Sequence, residues 1–268
     1  MPAGHRARKR FSQNFLHDAH YVARIVAAIA PKPGDNVVEI GPGLGALTGE
    51  LMAAAGRIRC VEIDRDLAAR LRERFSPEQI TVIEGDALAL DWNALGRAHG
   101  GGLRIVGNLP YHISTPLLFA LVPAATLVQD QHFMLQREVV DRMVAAPGGR
   151  DYGRLSVTLQ LRYRMTKLFD VPPGAFAPAP KVVSSVVRMQ PRSDAELPLI
   201  DFESIERVVA AAFGQRRKTL RNALASLLDE AGIRDAGVDP GARAETLSVA
   251  LFVALASRAF PRTAGSSS

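Results

Sequence analysis

The chain has 268 residues, of which 47% are apolar and 22% charged, and Lys plus Arg exceed Asp plus Glu by 33 to 27, a net charge of +6. These globular values exclude a disordered or collagen-like chain, and at roughly 150 residues per domain they predict one large domain or two unequal ones. The single cysteine, Cys60, excludes an internal disulfide or a cysteine-built metal site; no apolar run nears the ~18 residues of a membrane span and none behind the basic start suggests a signal peptide, so a cytoplasmic protein with no metal and no membrane partner is expected.

Val22, Ile25, Val26 and Ile29 stand at i, i+3, i+4 and i+7, one face of a helix that Pro31-Lys-Pro-Gly-Asp35 stops. Short apolar runs at 37–40, 58–63, 80–83, 103–106 and 132–135 then alternate with helical patterns at 47–55, 67–75, 115–122 and 138–145, and the crossover at 92–98 is the weakest of the series. Such alternation predicts a Rossmann-like α/β domain, a parallel sheet with helices on both faces. After residue 164 the pattern changes. Residues 168–171 and 182–189 read as two strands joined by Pro172-Pro-Gly-Ala-Phe-Ala-Pro-Ala-Pro180, a final antiparallel pair closing the sheet. Residues 191–198 read as a linker, and beyond it only helices are predicted, at 202–213, 217–229 and 249–259. A boundary near residue 195 therefore separates an α/β domain over 1–194 from a small all-α domain over 195–268.

Three strand ends point to a nucleoside cofactor. The first strand runs into Gly41-Pro-Gly-Leu-Gly45 and a helix opens behind it, so backbone N–H groups can approach a ligand closely. The spacing is G-x-G-x-G and not the G-x-G-x-x-G of nicotinamide enzymes. The second strand ends in Val61-Glu62-Ile63-Asp64, where a carboxylate can accept both ribose hydroxyls. The third ends in Glu84-Gly-Asp86-Ala87, with an acid where an adenine amine could be read. No phosphate-gripping lysine pattern accompanies the glycines, so a triphosphate is not expected.

The fourth strand ends in Asn108-Leu109-Pro110-Tyr111. An exocyclic base amine is a poor nucleophile because its lone pair is delocalised into the ring. An amide oxygen and a carbonyl held rigid beside a proline can accept both of its N–H hydrogens and localise that lone pair toward an electrophile, while the tyrosine stacks on the base. No strong general base is needed, because the proton is acidic once the methyl has arrived. An ordinary turn remains the alternative reading of the same four residues, and the position at this strand end behind that glycine loop favours the chemical one.

Asn108-Leu-Pro-Tyr111 with Glu39-Ile-Gly-Pro-Gly-Leu-Gly45 resembles the S-adenosylmethionine-dependent adenine-N6 methyltransferases of ribosomal RNA. The likeness extends through Arg8-Lys-Arg-Phe-Ser-Gln-Asn-Phe-Leu16, His132-Phe-Met-Leu-Gln136, Tyr152-Gly-Arg-Leu-Ser156, Phe176-Ala-Pro-Ala-Pro-Lys181 and Phe213-Gly-Gln-Arg-Arg-Lys-Thr-Leu-Arg-Asn222 to the bacterial members acting on the small subunit, over about residues 8 to 258. The resemblance implies a class I methyltransferase fold with a small C-terminal all-α domain. It implies an enzyme that dimethylates two adjacent adenosines in the hairpin near the 3′ end of 16S rRNA, within the 30S subunit or its precursor, and the expected state is a monomer. It implies S-adenosyl-L-methionine as cofactor, lined by Asn14, Leu16, Gly41, Gly43, Glu62, Asp86 and Asn108. Phe176 would face Tyr111 across the target adenine, although by itself it reads as a loop-packing residue. Two positions depart from the family pattern: Ser12 stands in place of Gly, and His112 in place of Asn. A lone histidine such as His112 is read as a hydrogen-bonded structural residue.

Arg216, Arg217, Lys218 and Arg221 form a basic run with no acid between Arg207 and Asp229. On a continuous helix Arg217 and Arg221 share a face while Leu220, Leu224 and Leu227 line another, so with the N-terminal arm the run is assigned to rRNA backbone contacts. A solvated helix face is the plainer reading of such a run. Two other functions fit less well. An assembly factor that only binds immature subunits would not need Asn-Leu-Pro-Tyr, and a nicotinamide dehydrogenase would need different glycine spacing.

Overall fold

The structure, a computed structural model, describes residues 14–215 and 218–261; the basic arm residues, Ser12, Arg216 and Arg217 lie outside them. The chain opens with β1 (Phe15–Leu16) and α1 (Ala19–Ile29), whose first turn is capped by the Asp18 carboxylate accepting from the His20 and Tyr21 N–H groups. The alternation follows as β2 (Asn36–Ile40), α2 (Thr48–Ala55), β3 (Ile58–Glu62), α3 (Arg65–Arg74), β4 (Ile80–Glu84), α4 (Trp92–Ala98), β5 (Leu103–Asn108), α5 (Tyr111–Ala120), β6 (Val128–Gln136) and α6 (Arg137–Val144). Then come α7 (Arg154–Arg162), β7 (Tyr163–Val171), β8 (Phe176–Ala177), β9 (Ser184–Pro191), α8 (Phe202–Gly214), α9 (Leu220–Ala223), α10 (Glu230–Asp235) and α11 (Val249–Ala259).

Among the described residues the main sheet has seven strands in the order β4-β3-β2-β5-β6-β9-β7. The five strands from β4 to β6 pair in parallel, with Val38 opposite both Arg59 and Ile105, and β9 returns antiparallel to β6. Chain order runs outward in both directions from β2, which puts a topological switch point between β2 and β5, and ligands of such sheets bind at the carboxyl ends of the strands there. Val37, Val38, Cys60, Ile105 and Val106 have no exposed surface, as strands covered on both faces require. At the opposite end of β5 the Arg104 guanidinium bonds Asp130 and Asp35, each at 2.7 Å, and the Ile29 and Ala30 carbonyls where α1 ends. A cation at a helix C-terminus satisfies carbonyls that have no partner within the helix.

Two elements differ from the sequence-based expectation in ways that matter for the site. The helix expected at 115–122, with Pro116 in its first turn, begins a turn earlier at Tyr111, so the tyrosine belongs to the helix and not to a loop. The helix expected at 217–229 is only α9, after which the chain turns, because Leu224 and Leu227 close tight turns and Asp229 starts α10 by capping the Gly232 N–H at 2.7 Å.

The chain divides into two compact units, one holding the residues up to Val140 with Arg164–Pro191, the other Asp141–Tyr163 with the residues from Arg192 onward. The second unit includes Asp141–Tyr163, which precedes the boundary expected near residue 195. Its core explains why: Val157 and Leu161 of α7 are buried with Val208 of α8, Leu220 and Leu224, and Phe252 of α11. The Tyr152 hydroxyl donates to the Leu247 carbonyl at 2.9 Å. Residues 155–159 of α7 are all buried, so the helix lacks the polar face that a 3.6-residue period would reveal.

Candidate active site

The carboxyl ends of β2, β3, β4 and β5 border, with β1, a cavity of about 270 Å³. Asn14, Leu16, Gly41, Gly43, Glu62, Asp86, Asn108, Leu109, Pro110 and Tyr111 all lie on its wall.

The glycine loop takes its shape from left-handed backbone at Gly41 (φ 64°) and Gly43 (φ 59°), a region that side chains disfavour. A Cβ on Gly43 would lie 3.0 Å from the Phe15 ring, so β1 closes on the loop only because that position is glycine. The Gly43 N–H donates to Glu62 Oε2 at 3.3 Å, and the Asp64 N–H to Oε1 at 2.9 Å. Two acids stood at this strand end in the sequence, and the structure separates them. Glu62 lines the cavity, whereas Asp64 caps α3 by accepting the Asp66 N–H at 3.0 Å. Burial raises the Glu62 carboxyl above its ordinary range, and the N–H bonds from Asp64 and Gly43 draw it partly back. The third strand end divides in the same way: Glu84 pairs with Arg72, and Asp86, on the wall, accepts the Leu88 N–H at 2.9 Å.

At the fourth strand end, a Cβ on Gly107 would come within 2.7 Å of the Ile40 carbonyl oxygen, so a glycine there lets β5 lie close to β2 just before Asn108. Asn108 Nδ2 donates to the Asn14 carbonyl at 3.1 Å. With the amide nitrogen committed to β1's side, its oxygen is the end left to accept. The Leu109 N–H donates to the Met134 carbonyl at 3.1 Å, and Ser114 Oγ to the Tyr111 carbonyl at 2.9 Å, which pins the backbone of the tetrapeptide between sheet and helix.

Phe176 is not on the cavity wall. It pairs with Leu16 across β1 and β8 and is 3% exposed in the core with Val171 and Ala175, the packing role that its sequence context alone suggests. His112, read as structural, is exposed on the cavity wall. Arg216 and Arg217 fall outside the described residues. Lys218 is exposed, and Arg221 pairs with Glu230 at 3.1 Å, because the turn after α9 brings the first residue of α10 beside it. Among the described residues no cluster of His, Cys, Asp or Glu could hold a metal, and no helix is long and apolar enough to cross a membrane.

Glu39 had no assigned role, although an acid inside the apolar strand Val37-Val-Glu-Ile40 was a visible signal. It lines the cavity at 2% exposure, accepting from Thr48 Oγ1 at 2.7 Å and from the Cys60 thiol at 3.7 Å. Burial pushes its pKa up to about 7, against the bonds from Thr48 and Cys60 that lower it. The folded chain therefore holds a proton that the unfolded chain releases between its ordinary carboxylate range and about 7. Stability from this group is present below that window and is lost as pH rises through it. Thermal unfolding of the ligand-free protein from pH 5 to 8 should show Tm falling toward neutrality, and Glu39→Gln should flatten the fall; an unchanged slope in the variant would rule out Glu39 as its source.

The family model for ribosomal RNA adenine dimethylase matches residues 4–259. The ribosomal RNA small subunit methyltransferase A of Aromatoleum aromaticum is 61% identical over 94% of this chain and 93% of its own length, and that of Bordetella avium is 58% identical over 94% of each. Among solved structures, a dimethyladenosine transferase from Plasmodium falciparum superimposes with a TM-score of 0.74 at 26% identity, covering 90% of this chain and 95% of its own. The 23S rRNA methyltransferase ErmE gives 0.69 at 28% identity, covering 91% and 99%. The fold is that of class I methyltransferases with a C-terminal helical region. On the match over residues 4–259 and identities above half across nearly the whole chain, the protein belongs to the ribosomal RNA adenine dimethylase family.

Proposed function

We propose that this chain transfers methyl groups from S-adenosylmethionine to the N6 amines of two adjacent adenosines in the 3′-terminal hairpin of 16S rRNA, late in assembly of the small ribosomal subunit. It acts as a monomer in the cytoplasm, where its substrate is assembled. The observation that carries the reading is the Asn108 amide, anchored through Nδ2 to Asn14 on the wall of a cavity that also presents Glu62. The names of the Aromatoleum and Bordetella relatives support the small subunit over the large.

The wall fits a nucleoside cofactor. Glu62 is a buried carboxyl whose bonds from Gly43 and Asp64 leave lone pairs for ribose hydroxyls, and Asp86 stands one strand further out for the adenine amine. Asn14, Leu16, Gly41 and Gly43 close the site from β1 and the loop. When bound, S-adenosylmethionine supplies a methyl group made electrophilic by its sulfonium. The residues at 108–111 do the rest. Asn108 Oδ1 and the Leu109 carbonyl, kept rigid by Pro110, accept the two hydrogens of the target amine, and Tyr111 stacks on the base. The surplus proton passes to water. A second methylation needs only that the monomethylated amine still fit beside Asn108. Phe176, packed opposite Leu16, is the ring that the resemblance sets against the target adenine across from Tyr111.

The basic segment from Arg216 to Arg221, with the N-terminal arm, holds rRNA by its backbone. Replacing Arg217 and Arg221 by Ala should weaken subunit binding and lower its salt slope by about one unit for each phosphate no longer neutralised, with cofactor affinity unchanged. An unchanged salt slope would return these residues to the role of solvated surface.

The direct test is labelled S-adenosylmethionine supplied with unmethylated small subunits, large subunits, free rRNA and DNA in parallel. Label is expected in small-subunit RNA at two adjacent adenosines. Label confined to large-subunit RNA would overturn the 16S assignment.

A further inference from the structure

Among the described residues, the buried side chain of Ser184 meets the Tyr111 hydroxyl from outside the cavity wall. Ser184, at the start of β9, is 1% exposed, and its Oγ lies 3.0 Å from the hydroxyl of Tyr111. It is not among the described residues that line the cavity. Its own position is rigid: it pairs with Gln136 at the end of β6, and the carbonyl of its neighbour Val183 accepts the Arg137 N–H at 3.0 Å. The backbone of Tyr111 is likewise fixed, as the first residue of α5 behind Pro110. What the backbone leaves open is rotation of the ring about its two side-chain torsions. A hydrogen bond at the far end of the ring, from an anchor on the sheet, removes that freedom.

We infer that Ser184 is a positioning residue that holds the Tyr111 ring in its base-stacking orientation, an inference that rests on the stacking role proposed for Tyr111. Fixing the ring before the base arrives removes an ordering cost that would otherwise be met in each binding event. Ser184 acts only through the tyrosine hydroxyl, and this separates it from a residue that merely fills space: its contribution vanishes when that hydroxyl is gone.

A double-mutant cycle reads this directly, with kcat/KM on small-subunit RNA, cofactor affinity by calorimetry and Tm measured for each variant. Ser184→Ala and Tyr111→Phe should each lower kcat/KM by roughly three- to tenfold, the net value of one hydrogen bond, at unchanged cofactor affinity. In the Tyr111→Phe background, Ser184→Ala should cost less than about twofold more, because the shared bond is already absent. Losses that multiply in the double variant, or a Ser184→Ala enzyme with wild-type kcat/KM, would overturn the inference. Should Ser184→Ala fold poorly, Tyr111→Phe removes the same bond from the other side, and wild-type kcat/KM there would overturn it too. Tyr111→Ala separates the two levels. Near-complete loss with cofactor affinity intact supports the stacking reading whatever Ser184 does, and retained turnover would remove that reading and the inference with it.

Discussion

Asn108→Ala should bind S-adenosylmethionine nearly as well as wild type and turn over at least about a hundredfold more slowly, the scale seen when one preorganised polar group is removed from a transition state. In the proposed mechanism the reason lies in where the amide is used. Its oxygen gains most when the target nitrogen develops positive charge and its hydrogens become better donors, so the interaction strengthens toward the transition state and is felt in kcat rather than in binding. The anchor on Asn14 adds a second expectation. Asn108→Asp keeps an oxygen for the amine and loses the Nδ2–H that bonds the Asn14 carbonyl at 3.1 Å. It places carboxylate lone pairs against that carbonyl, so Asn108→Asp should be as impaired as Asn108→Ala. Single-turnover rates on small subunits, with cofactor affinity measured alongside, decide the matter. An Asp variant with wild-type turnover would mean that the anchor does not orient the amide.

Glu62→Ala should instead weaken the cofactor. Hydrogen bonds to a charged group are worth roughly 1.5–3 kcal/mol, or on the order of 10–100-fold in affinity. Burial raises the Glu62 carboxyl above its ordinary range. Hydroxyl donors of a bound ribose favour its ionised form, so wild-type affinity should fall as pH is lowered through that raised pKa, and the Glu62→Ala affinity should lose this pH dependence. Calorimetry at two pH values reads both effects. Unchanged affinity in the variant would take Glu62 out of the ribose role. Because the carboxylate also accepts the Gly43 N–H, Tm is measured to separate a loosened loop from missing ribose hydrogen bonds.

Much of this is legible in the chain read residue by residue. The strands at 37–40, 58–63, 80–83, 103–106 and 132–135 stand out because short apolar runs bounded by turn residues are local signals. The observed β2 to β6 contain or closely overlap them. The helix expected at 249–259 is α11 to the residue. The glycine loop and Asn108-Leu-Pro-Tyr111 are readable for a related reason: left-handed backbone and a proline-fixed strand end demand particular residue types. With the strand ends placed, their convergence on one cavity follows from parallel topology.

Other features have no local signal. Sequence spacing alone does not choose between Glu62 and Asp64 at the second strand end; the start of α3 does, by taking Asp64 as its cap. Nor does the acid-free run from Arg207 to Asp229 reveal that the turn after α9 brings Glu230 to Arg221. Phe176 is given to the base by resemblance and is held in the core by a two-residue strand opposite Leu16.

By itself the sequence determined the parallel α/β sheet, the glycine loop, the strand-end acids and the tetrapeptide Asn108-Leu-Pro-Tyr111 at the fourth strand end, since each is written in a few neighbouring residues through periodicity or backbone preference. Tertiary structure alone decided which acid faces the cavity, that Glu39 is buried beside it, that α7 belongs with the C-terminal helices, and that Ser184 meets the Tyr111 hydroxyl 73 positions away in the chain. These depend on which side chains long-range packing sets against one another. Burial and hydrogen bonding are properties of surroundings, and no stretch of sequence carries its surroundings with it.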